Sequence, residues 1–115
     1  MARLAARKRP LTREEERTLA EAAEVFKALC DPTRLKILHA LGAGEACVHE
    51  LCARLGMTQS GASHQLRVLR VQHLVRARRA GREIFYSVAD EHVLSLVASA
   101  RDHAAHLIRG ERERR

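Results

Sequence analysis

The chain has 115 residues, 46% hydrophobic and 30% charged, the size and mixture of one globular domain. Lys and Arg number 21 against 14 Asp and Glu, a net charge of +7 that points to a polyanionic partner. The small size leaves little room for a deep substrate cavity, and 3% aromatics without Trp excludes the stacking platforms that bind single strands.

Residues 1–11 are basic, end near Pro10, and read as a flexible arm. Thr12 and Glu15 have capping-box spacing, where each side chain takes the other's free backbone N–H, so a helix is predicted over 13–29. Leu19, Ala22, Ala23, Phe26 and Leu29 mark its expected buried stripe. Asp31-Pro32 is a cap followed by a residue suited to the first turn, and predicts a second helix over about 32–41 with Leu35, Leu38 and Leu41 inward. A third is predicted over about 45–55, burying Val48, Leu51 and Leu55 and stopping at Gly56. Thr58 caps a fourth, about 59–71, with Ala62, Leu66 and Leu69 inward. Two partly alternating runs around Ala80-Gly81 predict a β-hairpin. Asp90 then caps a last helix over about 91–109, closed by Gly110, with 111–115 a frayed tail. The domain proper is thus expected over 12–110.

The basic excess is focused. No acidic residue occurs from Leu51 to Arg82, a stretch that holds Arg54, Arg67, Arg70, Arg76, Arg78, Arg79 and Arg82. Within it, two helices joined by Gly56-Met57-Thr58 have helix-turn-helix form. The second opens Gln59-Ser60-Gly61-Ala62-Ser63-His64. Short polar and amide side chains of this kind reach base edges in the major groove. Gly61 and Ala62 would let the backbone approach closely. Arg67 suits phosphate, as do Arg78, Arg79 and Arg82 of the hairpin, which makes the unit a winged helix. The fold class expected is mainly α with a small β-hairpin wing, and the partner is double-stranded DNA.

Four runs in this chain, Phe26–Leu38 (FKALCDPTRLKIL), Cys47–Leu51 (CVHEL), Thr58–Leu69 (TQSGASHQLRVL) and Gly81–Tyr86 (GREIFY), resemble the ArsR/SmtB family of winged-helix repressors. The resemblance covers about residues 15–108. It implies a homodimer through the first and last helices, bound to an imperfect palindrome in operator DNA. Many members sense a metal ion that releases the DNA, and others sense sulfur species.

The last helix carries Asp90, His92, His103 and His106, a donor set suited to tetrahedral Zn²⁺ or Co²⁺, with Ni²⁺ a further candidate inducer. One helix copy cannot converge them. His92 and His103 lie eleven residues apart, about 16 Å along the axis, while ligands stand about 2 Å from the ion. An antiparallel partner helix would pair Asp90 and His92 of one subunit with His103 and His106 of the other, giving two equal sites. Val93, Val97, Ala100, Ala104 and Leu107 are spaced as the seam for that pairing. Asp-x-His followed by His-x-x-His also resembles the family's last-helix zinc or cobalt site. By the same resemblance, His103 would reach the region near His73, just after the fourth helix.

The alternative is the same fold switched by cysteine chemistry, thiol, persulfide or soft metal, or by no ligand. Cys47-Val48-His49 resembles the family's soft-metal Cys-Val-Cys motif, with His49 in place of the second Cys. Cys47 and Cys52 lie about 140° apart around a helix and do not converge there. Cys30 reads as a small buried hydrophobe, with a thiol-sensing role left open. Three cysteines behind a charged N-terminus without a signal-like apolar core point to a reducing cytoplasm. The longest apolar run ends at Arg101-Asp102 and is too short to cross a bilayer. A zinc hydrolase needs an open metal position and a general base, and no HExxH-like motif is present, so no enzyme is expected. A purely architectural DNA protein would differ from a sensor in showing no metal-dependent loss of operator affinity.

Overall fold

A computed structural model describes residues 8–115. Most of the expected arm over 1–11 lies outside them. Within them, Arg9 donates to Glu15 at 2.7 Å. This contact, with further hydrogen bonds from Thr12, holds the Glu15 carboxyl down at about 2.

Helix α1 (Arg13–Leu29) starts at the expected capping box, with Glu15 N–H donating to the Thr12 hydroxyl and Thr12 N–H donating to Glu15 Oε1. Helix α2 (Pro32–Leu41) starts where Asp31 Oδ2 accepts the Arg34 N–H at 2.9 Å. The third predicted helix begins later than expected. Ala46–Cys47 forms a short strand, β1, and only Val48–Leu55 is helical, α3. Two residues are too few to display a strand period, so β1 was invisible before its partner was known. Gly56 ends α3 at φ 66°, a left-handed position that glycine adopts without steric cost.

Helix α4 (Gln59–Val71) is capped by Thr58, whose hydroxyl accepts the Gly61 N–H at 3.1 Å. Its exit uses His73 at φ 59°. The His73 N–H donates to Arg70 O and the Leu74 N–H to Leu69 O, a Schellman closure with His where Gly is usual. Strands β2 (Val75–Ala80) and β3 (Glu83–Val88) pair antiparallel, and the sheet order is β1-β3-β2. The last pair is Ala80 with Glu83, so the turn is Gly81-Arg82, one residue later than expected. Helix α5 (Glu91–Arg114) is capped by Asp90 and runs through Gly110, which does not close it.

The core lies where α2, α3, α4 and the start of α5 meet over the sheet. Ile37, Leu38, Leu51, Leu66 and Leu69 are its fully buried side chains, joined by Ala62, Leu74, Val75, Val93 and Val97. The inward face of α4 is as expected. On α2, Ile37 and Ala40 are buried, whereas Leu35 is exposed. On α1 the expected stripe is largely outside: Leu19 and Phe26 are 56% and 58% exposed and Ala23 is exposed, while Ala28 and Leu29 are buried. Period alone finds an apolar face but not what covers it.

Candidate DNA-reading and metal-binding surfaces

The geometry of α3, the turn at Gly56–Thr58 and α4 is that of a helix-turn-helix, with the β2–β3 hairpin following directly. Gln59, Ser60, Ser63, His64 and Arg67 are all exposed on α4, opposite the buried row Ala62, Leu66 and Leu69. Ala62 is therefore core, not a point of close DNA approach. Gly61 has a local reason. A Cβ there would stand 2.9 Å from Thr58 Oγ1, the hydroxyl that caps the helix.

The wing arginines do not form one set. Successive side chains on a strand point to opposite faces, so Arg78 and Arg79 diverge. Arg79 and Arg82 are exposed, and neither side chain has a hydrogen-bond partner among the described residues. Arg78 is tied down: its Nε donates to Glu45 Oε2 at 3.2 Å, its Nη2 donates to Oε1, and its guanidinium lies 5.2 Å from the Phe85 ring centre. The guanidinium pulls the Glu45 carboxyl below the usual carboxylate range. Sequence reading missed this pair because Glu45 is far from the hairpin along the chain. No local signal marks it, since Glu45 and Glu50 both precede the acid-free stretch and only the fold brings Glu45 to Arg78. Glu45→Gln is expected to free Arg78, strengthen binding to specific and random DNA alike, and steepen the salt dependence by about one unit of log–log slope. Anisotropy titrations at several salt concentrations check this; an unchanged slope would show that Arg78 makes no phosphate contact.

Asp90 and His92 sit together at the start of α5, with His92 Nδ1 3.6 Å from Asp90 Oδ1. One Asp90 oxygen already accepts the Val93 N–H, which fixes the carboxyl. The His92 side chain is 98% exposed. His103 and His106 are exposed further along the same helix. Among the described residues of one protomer, no group of three or more His, Cys, Asp or Glu side chains converges. A cleft beside Asp90 and His92 is lined also by Glu21 of α1 and by His73.

The expected seam divides. Val93 and Val97 pack in the protomer's own core, while Ala100, Ala104 and Leu107 are exposed. Leu107 and Ile108 of α5, with Leu19 and Phe26 of α1, leave four large apolar side chains more than half exposed. All three cysteines are free. Cys30 is exposed, contrary to expectation, because it follows the last residue of α1. Cys47 is buried in β1, and its thiol donates to Glu50 Oε1 at 3.2 Å. Among the described residues, no helix is long and apolar enough to cross a membrane.

A helix-turn-helix with a basic hairpin and an exposed polar reading helix defines a winged-helix DNA-binding regulator. Residues 31–77 match the model of the arsR family of bacterial regulatory proteins. The chain is 44% identical to the HTH-type transcriptional regulator NmtR of Mycobacterium tuberculosis over 94% of this chain and 90% of that protein. It therefore belongs to the arsR family. It is also 48% identical to a transcriptional repressor SmtB homolog of Synechocystis over 72% of this chain, and spans 63% of that protein's length. A homodimeric winged helix-turn-helix DNA-binding domain, Mb0332 of Mycobacterium bovis, superposes with a TM-score of 0.75 at 34% identity, covering 84% of this chain and 90% of that one.

Proposed function

We propose that the chain is a homodimeric transcriptional repressor that leaves its operator when a Zn²⁺- or Co²⁺-type ion binds between two α5 helices. The observation that carries this reading is the division of donors along α5. Asp90 and His92 stand at its start, and His103 and His106 far along it, each pair too small for a tetrahedral site. A second, antiparallel copy completes two equal sites. The exposed apolar side chains of α1 and α5 supply the surface for that copy. The donor chemistry fits a borderline ion with nitrogen and oxygen ligands.

Release of DNA needs only that the free dimer hold the ion more tightly than the operator-bound dimer does. An ion joining two α5 helices fixes their angle, and so the separation of two α4 helices that must match about one turn of DNA. The test is operator binding titrated with Zn²⁺, Co²⁺, Ni²⁺, Cd²⁺ and arsenite, repeated under oxidising and persulfide conditions. Loss of operator binding with the first three ions supports the reading. A response confined to arsenite, Cd²⁺ or oxidants favours the second reading, a thiol switch at Cys47, which lines a cleft with Gln59, Ser63 and Arg82 between α4 and the wing.

Readout divides by residue. Gln59→Ala or Ser63→Ala is expected to cost about 1–3 kcal/mol of discrimination between operator and random DNA. Arg79→Ala or Arg82→Ala is expected to weaken both DNAs alike. Equal losses on both DNAs from the α4 variants would remove α4 from base reading.

A further inference from the structure

Arg34 is the one side chain among the described residues that holds α1 to the reading helix by direct hydrogen bonds. It projects from the first turn of α2. Its Nε donates to Ala28 O and its Nη2 lies 3.5 Å from Lys27 O, in the last turn of α1. Its Nη1 donates to Gln65 Oε1 of α4 at 3.1 Å. Carbonyls at a helix C-terminus lack intrahelical partners and carry partial negative charge, so a cation with several donors is well placed there. The guanidinium is planar and its donors diverge in a fixed fork, so satisfying both helices at once constrains the angle between them. Helix α2 also packs against both α1 and α4. Those apolar contacts are non-directional, whereas the fork is directional. Gln65 is half-buried and faces away from the exposed reading row, which leaves it free for this internal role.

We infer that Arg34 and Gln65 form a positioning clamp that transmits the orientation of α1 to the reading helix, and through it the response of operator binding to the ion at α5. The second half of this inference rests on the proposed metal switch; the first half does not. Two variants test it. Gln65→Met removes the acceptor while keeping length and apolar bulk, and Arg34→Lys keeps charge but lacks the fork. Gln65→Glu restores an acceptor and serves as the rescue.

The first readout is the distance distribution between spin labels carried by unnatural residues at Arg17 on α1 and Val71 at the end of α4, both exposed, in labelled chains diluted with unlabelled chain. Gln65→Met and Arg34→Lys are expected to broaden it, and Gln65→Glu to keep it narrow. The second readout is the ratio of operator affinities without and with Zn²⁺. Couplings of this kind span about 5- to 150-fold, and the two disruptive variants are expected to reduce the ratio to below about 3-fold while the Zn²⁺ affinity of the free protein stays unchanged. A distribution as narrow as in the parent protein overturns the clamp. A broadened distribution with an intact ratio overturns its role in the switch. If the parent protein itself shows no Zn²⁺ effect while its distribution responds to the variants, the metal reading fails and the clamp stands.

Discussion

Replacing Phe26 with Glu is expected to give a folded monomer that has lost operator binding by about 10²- to 10⁴-fold, the factor by which two linked half-site contacts exceed one. Phe26 is 58% exposed in the protomer, so a charge there leaves the protomer's own packing intact. In a dimer built on α1 and α5 the same charge would be buried without a partner, which is strongly unfavourable. Sedimentation and helical content, measured together, distinguish this from unfolding. A Phe26→Glu protein that stays dimeric would place the interface elsewhere. Ala100→Glu, on the exposed part of α5, is expected to act in the same way.

The second large effect is on the switch. His103→Ala is expected to abolish the metal-driven drop in operator affinity, taking a coupling of about 5- to 150-fold to unity, while metal-free operator binding persists. His103 lies well beyond the part of α5 that packs on the core, and its side chain is exposed, so stability should be unaffected. Ligation requires neutral imidazole, so the response of the parent protein is expected to weaken below about pH 6. Operator titrations with Zn²⁺ at several pH values check both points. A His103→Ala protein that still releases DNA with Zn²⁺ would remove this residue from the site.

What was legible in the sequence was mostly local. Thr12, Asp31, Thr58 and Asp90 each cap the helix expected of them, because capping depends on side chain and backbone within one turn. The inward row of α4 is legible because Ala62, Leu66 and Leu69 recur at spacings of four and three among mainly polar neighbours. What depended on distant partners was not. Strand β1 exists only because Ala46 and Cys47 pair with Tyr86 and Phe85. Arg78 looked like a free wing arginine until the fold brought Glu45 to it. Gly110 has the look of a stop in the sequence, but one glycine costs a helix only about 1 kcal/mol, and the charged residues after it continue the turn. The stripe on α1 is apolar as its period predicts, but within one protomer only its Leu29 end is buried, while Leu19 and Phe26 face outward. The donors Asp90, His92, His103 and His106 were legible as a spacing, but a single chain does not bring them together.

The most direct test of the metal switch is titration of the full chain with Co²⁺, followed by visible absorption. Saturation is expected at one ion per chain, with a strong band of tetrahedral nitrogen and oxygen ligation and no intense sulfur charge-transfer band. That band should vanish in His103→Ala, survive in Cys47→Ser, and be lost in the Phe26→Glu monomer, where each half-site retains only two donors. A prominent thiolate band that disappears in Cys47→Ser and persists in His103→Ala would rule out the α5 site and move sensing to the cysteines.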